Sequence, residues 1–255
     1  MSLRSRLLRT VAVATTAAAV LAPLPASAMV APTAAAPAET RHVTAGDAVT
    51  AGTTITTTTG ASYAFSAVVA GAPVRWNPCA AIHWRANVMR APLGGLDVLK
   101  GAVASVAAAT GTTWVFDGTT TAAPATSWLP TTSTQKPVLI GWTDGYSSDL
   151  LRYKPVSVLG MTRTTWFGRT TSTGTVAATR GAVVALDRTD RLPLRGYNSW
   201  TAVALHELGH AMGLAHPNDS GELMNAVLPR TLASLQTGDR TGLYKLGRAQ
   251  GCISF

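Results

Sequence analysis

Hydrophobic and polar positions alternate from Ile82 to Val88, the period of a strand with one buried face. Leu96, Leu99, Val103 and Val106 then recur at spacings of three and four, which predicts an apolar helix face stopped at Thr110-Gly111. Residues 112–116 are strand-like, and Asp117-Gly118 is a turn signal. A loop rich in Thr, Ser and Pro is expected over residues 118–136. Residues 137–142 read as a buried strand, 156–167 as a longer and less regular one, and 182–186 as a short apolar one. Helices are expected over 200–213 and 235–246, and no internal repeat is present. The mixture places the chain in the α+β class, a sheet with helices packed on it.

Upstream of this pattern the character changes. Residues 1–9 carry three arginines, residues 10–22 form a short Ala/Val/Leu run, and Ala26-Ser27-Ala28 has the small-x-small form of a cleavage site. Residues 1–28 therefore read as a signal peptide, too short in its apolar part to span a membrane. The expectation is a secreted, extracellular protein with no membrane attachment after cleavage. Residues 29–73 are rich in Ala, Thr, Gly and Pro, with few large apolar side chains to offset the entropy of ordering them. They read as a linker or propeptide, largely disordered, with Ile55, Tyr63, Phe65, Val68 and Val69 able to form one or two strands near its end. The folded domain is expected over residues 74–255.

Composition narrows the classes. The chain has 255 residues, 47% of them hydrophobic and 13% charged, which excludes a wholly disordered chain. Its formal charge of +9 becomes +6 without residues 1–28. Such a charge can hold an exported protein to anionic cell-wall polymers or nucleic acid, but it reads here as a generic solubilising surface charge. The basic residues are scattered, Arg188, Arg191 and Arg195 being the tightest group, and aromatic residues do not interleave with them. No nucleic-acid partner is expected. No coiled coil is present, and a monomer is expected.

Chemistry is concentrated in residues 206–216. His206-Glu207-Leu208-Gly209-His210-Ala211-Met212-Gly213-Leu214-Ala215-His216 satisfies H-E-x-x-H-x-x-G-x-x-H in full. Positions four apart share a helix face, so His206 and His210 can present imidazoles to one ion. Glu207 projects beside that face, within reach of a water on the ion. Gly213 lies where the helix must end, and its tolerance of a left-handed backbone lets the chain swing His216 in as a third ligand. Three neutral histidines with an open fourth position are the ligand set of a catalytic Zn2+.

With these residues in place the chain resembles the metzincin zinc endopeptidases, and among them the matrixins. Met224, in Glu222-Leu223-Met224-Asn225, fits the family's methionine turn and lies eight residues after His216. Ala226 stands where astacin-like and serralysin-like relatives carry a tyrosine, and His216 where the snapalysin-like group has aspartate. The resemblance implies a zincin-like twisted mixed five-stranded sheet packed on the active-site helix and further helices. It implies a protein or peptide substrate lying extended along the edge strand, in the region of residues 160–166. It also places one wall of the specificity pocket in residues 225–230, where Val227 and Leu228 suggest an apolar pocket. Asp187 and Asp190 match a spacing that supplies Ca2+ ligands in such relatives. The chain has five histidines, so the second, histidine-built zinc of animal matrixins is not expected, and His83 reads as packed or surface.

Two cysteines, Cys79 and Cys252, complete the inventory. In an exported chain they most economically form one disulfide, tying the start of the domain to its end. The alternative, Cys79 capping the zinc in a latent form, leaves Cys252 unpaired and is not favoured by the context Trp76-Asn77-Pro78-Cys79-Ala80. The expected function is zinc-dependent peptide hydrolysis with Glu207 as general base. The alternative is a catalytically silent binding module on the same scaffold at the cell wall.

Overall fold

The computed structural model describes residues 41–44, 63–154, 158–171 and 174–254. The expected signal peptide and most of the leader, Ile55 included, lie outside the described residues. In chain order the elements are β1 (Arg41–Thr44), β2 (Ala64–Phe65), β3 (Val68–Val69), β4 (Ala72–Pro73), β5 (Ile82–Asn87) and α1 (Gly95–Thr110). They continue with β6 (Trp114–Thr119), β7 (Val138–Thr143), β8 (Gly160–Thr171), β9 (Gly174–Asp187), α2 (Trp200–Met212), β10 (Leu214–Ala215) and α3 (Thr237–Leu246).

Five strands of the domain form the expected mixed sheet, in the order β6-β5-β7-β9-β8. The first four run parallel, and β8 returns antiparallel to β9. Strand period divides β7 between two cores. Val138, Ile140 and Trp142 face the main core with α1 and α2, and Leu139 faces a smaller one with Leu129, Leu150, Leu151 and Met161. A strand buried on both faces is a continuous apolar run, which is why 137–142 was legible.

Three features differ from the sequence-based expectation. Strand β9 begins at Gly174, eight residues before the apolar run at Ala182, and pairs along its length with β8 in a hairpin whose ends are Thr171 and Gly174. Its first half is held by cross-strand pairing rather than by apolar content. Second, packed structure reaches back into the end of the segment read as leader, where Phe65, Val68 and Val69 lie in short strands as expected. Tyr63 and Ala64 are buried, β2 pairs with β10, and the Ser66 amide and hydroxyl both donate to the Gly213 carbonyl, at 2.8 and 3.0 Å. Third, β1 adds a strand to the outer edge of β8, antiparallel, with Arg41 opposite Gly168 and Thr44 opposite Thr165.

The two ends of the domain are fastened together. Cys79 and Cys252 form a disulfide with Cα atoms 5.3 Å apart, as expected. Beside it the Asn77 side-chain oxygen accepts from the Ile253 amide, and Arg75 donates to the Gln250 and Gly251 carbonyls. Closing a loop of 173 residues stabilises the fold by about 5 kcal/mol in the chain-entropy picture. No described helix is long and apolar enough to cross a membrane.

Candidate metal centre

Helix α2 is built to carry the site. Ser199 caps its first turn by accepting from the Ala202 amide, and its residues from Ala202 to Met212 are all buried. It ends at Gly213, whose φ of +116° lies in the region where a side chain is strained, and a Cβ there would come within 2.9 Å of the Val74 carbonyl. The reversal leads into β10 and brings His216 back over the helix.

The three histidines converge. Their Nε2 atoms lie 3.0 Å (His206–His210), 3.1 Å (His206–His216) and 3.1 Å (His210–His216) apart. His206 Nδ1 lies 2.7 Å from the Leu223 carbonyl, and His210 Nδ1 lies 2.8 Å from the Leu214 carbonyl. A carbonyl only accepts, so both Nδ1 atoms carry the proton and both Nε2 lone pairs are bare. Lone pairs aimed at one another repel unless a cation sits between them. Tetrahedral zinc with bonds of about 2.0 Å holds its ligands roughly 3.3 Å apart, close to the spacing seen. Burial, aided by His216, holds the His206 pKa down to about 3, and burial holds His216 to about 4. Burial, with its two histidine neighbours, pulls His210 down as well. All three are therefore neutral ligands at ordinary pH. Among the described residues no other group of three His, Cys, Asp or Glu side chains comes together in this way.

Glu207 is fully buried beside them. Its Oε2 accepts from the Thr162 hydroxyl on β8 at 2.6 Å, and its Oε1 has no hydrogen-bond partner among the described residues. Burial pushes its pKa up to about 8, against the pull of the Thr162 hydroxyl. A dication at the histidines would favour the charged form.

Beneath the site lies the methionine turn. Met224 is buried, and a Cβ on Gly209 would meet its sulfur at 2.3 Å, so the glycine inside the H-E-x-x-H stretch is what lets the thioether close on the helix. Asp239 on α3 holds this turn: its Oδ2 accepts from the Leu223 and Gln236 amides, at 2.9 and 2.8 Å, and its Oδ1 from the Met224 amide at 3.1 Å. Glu222 answers by accepting from the Gly238 and Asp239 amides, both at 2.9 Å. Burial raises both carboxyl pKa values, and for both these amide bonds oppose it. A relay thus runs from Asp239 through the Leu223 peptide to His206. Gly209, Glu222 and Thr162 were not picked out as functional from the sequence. Their partners lie 15 to 45 positions away, and only folding brings them together.

The remaining candidates are placed as follows. Asp187 is buried, and its carboxylate is occupied by the Lys154 ammonium at 2.5 Å and by the Thr189 amide and hydroxyl. Asp190 is half-buried, its amide donating to the Asp187 carbonyl. His83 is an exposed partner of Asp117, 2.8 Å away. Of the two residues expected in the pocket wall, Leu228 is packed in the main core and Val227 is exposed.

A mixed sheet laid over a helix that carries two histidines and a glutamate, with a third histidine returned by a glycine turn, defines a metzincin-type zinc peptidase. Comparison with family models agrees: the Matrixin model matches residues 103–247, more than half of the chain, from α1 through α3. The chain belongs to the matrixin peptidases, and its activity is zinc-dependent peptide hydrolysis. Comparison with curated proteins returned no match.

Proposed function

We propose that this chain is a secreted endopeptidase that cuts extended polypeptide at the cleft between α2 and β8, with Glu207 as general base. The observation that carries the reading is the convergence of three imidazole Nε2 atoms, 3.0–3.1 Å apart, beside a buried carboxylate whose Oε1 has no hydrogen-bond partner among the described residues. His206, His210 and His216 would hold the zinc, which when bound lowers the pKa of water towards about 7 and polarises a carbonyl. Glu207 takes a proton from the attacking water as its oxygen joins the scissile carbonyl carbon. It returns that proton to the amide nitrogen as the C–N bond breaks, so the residue ends as it began.

Support for extended binding comes from β8 itself. Its outer edge already carries Arg41–Thr44 as an antiparallel strand, so the edge accepts extended backbone. The same contact supports a propeptide role within residues 29–73, and residues 1–28 have the pattern of an export signal. Calcium draws less support, because Lys154 already supplies the positive charge at Asp187. The test is Glu207→Gln, which should retain one zinc per chain and lower peptide cleavage at least about a thousandfold. Substantial residual cleavage with zinc in place would remove Glu207 from this role.

A further inference from the structure

The geometry points to Thr162 as the positioning residue for Glu207: its hydroxyl anchors Oε2 and thereby assigns Oε1 as the oxygen that handles the proton. This inference rests on the peptidase reading above and sharpens it to a single atom.

The strand period sets it up. Positions two apart face the same side of β8, so Gly160 and Thr162 both look onto α2, whereas Met161 between them enters the smaller core on the opposite side. A Cβ on Gly160 would lie 2.8 Å from Glu207 Cγ and 2.9 Å from Oε1, so the absent side chain is what admits the carboxylate against the strand. Two residues on, Thr162 Oγ1 lies 2.6 Å from Oε2 and 3.0 Å from the main-chain oxygen of Glu207. A hydroxyl has one proton to give, and the shorter contact to the carboxylate takes it.

The two carboxylate oxygens are consequently unequal. Oε2 is bonded into the sheet, and Oε1 is buried with no hydrogen-bond partner among the described residues. A buried oxygen without a partner is costly in a group that serves only packing. In a general base it is the atom that must be open to water. With Oε2 fixed, rotation of the carboxylate is arrested, and Oε1 is held where a proton can be taken and returned. A misplacement of about 1 Å at such a centre costs on the order of a hundredfold in rate.

The test is the pair Thr162→Val and Thr162→Ser in the zinc-loaded full chain. Valine keeps the shape and removes the hydroxyl. It should lower kcat about 10- to 100-fold, with KM within about twofold, one zinc per chain and little change in Tm. Serine should restore kcat to within about threefold of the parent. Crystal structures of the zinc-loaded parent and the valine variant give a readout independent of turnover: the Glu207 carboxylate should rotate away in the variant. Unchanged kcat, a loss of zinc that accompanies the loss of rate, or a valine variant whose Glu207 has not moved would each overturn the inference. If the parent itself cleaves nothing, the peptidase reading fails, and the position of Glu207 in the two structures still decides the role of Thr162.

Discussion

Two regions of this molecule gather ionisable groups inside the fold, and they are completed in opposite ways. At the end of α2 three imidazoles converge with Nε2 atoms 3.0–3.1 Å apart, an arrangement that a cation between them would satisfy. At the end of β9 a buried carboxylate, Asp187, is met by the chain's own Lys154. Nearby, Asp144 receives Arg90 and Arg188. The first region depends on an ion from solution; the second is closed by covalently attached cations. A peptidase needs one position left open for water and substrate, and an ion with three protein ligands leaves one. A loop needs only to be held, and an ammonium does that without a metal.

The comparison breaks most sharply at the histidines. His210→Ala should reduce bound zinc from one per chain to almost none and abolish cleavage, by at least about four orders of magnitude, as read by metal analysis and peptide turnover. At the other region Lys154→Met should leave the Asp187 carboxylate buried without its counter-charge, though still accepting from Thr189. That is worth about 3–5 kcal/mol of stability, a fall in Tm on the order of 10 °C for a domain of this size. In the same melting experiment millimolar calcium should leave the parent unchanged, and a rise of several degrees would show that a metal rather than Lys154 closes the loop.

Asp239→Asn probes the floor of the first region. The amide replaces an acceptor by a donor facing buried N–H groups, and the expected loss is about 2–3 kcal/mol. Weaker zinc affinity should accompany it, since the Leu223 carbonyl orienting His206 belongs to the same turn. The smallest effect is in acid. Burial tends to raise the Asp144 pKa, but hydrogen bonds from Arg188 and Ser147 and the charge of Arg90 prevail, bringing it to about 2. Its folded-state value is below the unfolded one, so its contribution is present above about pH 4 and disappears as pH falls through about 2. Asp144→Asn should flatten that part of the stability profile and leave the neutral range almost unaltered.

The part of the site legible in the sequence is the part made by local spacing. His206, Glu207, His210, Gly213 and His216 lie within eleven residues, and a helix followed by a glycine reversal brings the three histidines to one centre. The methionine turn at Met224 came only from the matrixin resemblance, and the Cys79–Cys252 bond from the expectation that two cysteines in a chain read as exported would pair. Most strands followed from apolar runs, as at Val138–Thr143. The last four residues of β8 and the first half of β9 did not, because each is stabilised by the other rather than by its own side chains. Thr162, Gly209, Asp239 and Lys154 act on partners that only folding brings near. Nothing in their immediate sequence separates them from ordinary strand, helix or loop residues.

The most direct measurement is cleavage of a mixed peptide library by a chain beginning at Tyr63, which frees the β8 edge, followed through chelation and zinc return. The account predicts cleavage that disappears when zinc is removed and recovers at one zinc per chain. Cleavage that persists in the zinc-free protein, or none from the zinc-loaded chain, would contradict it.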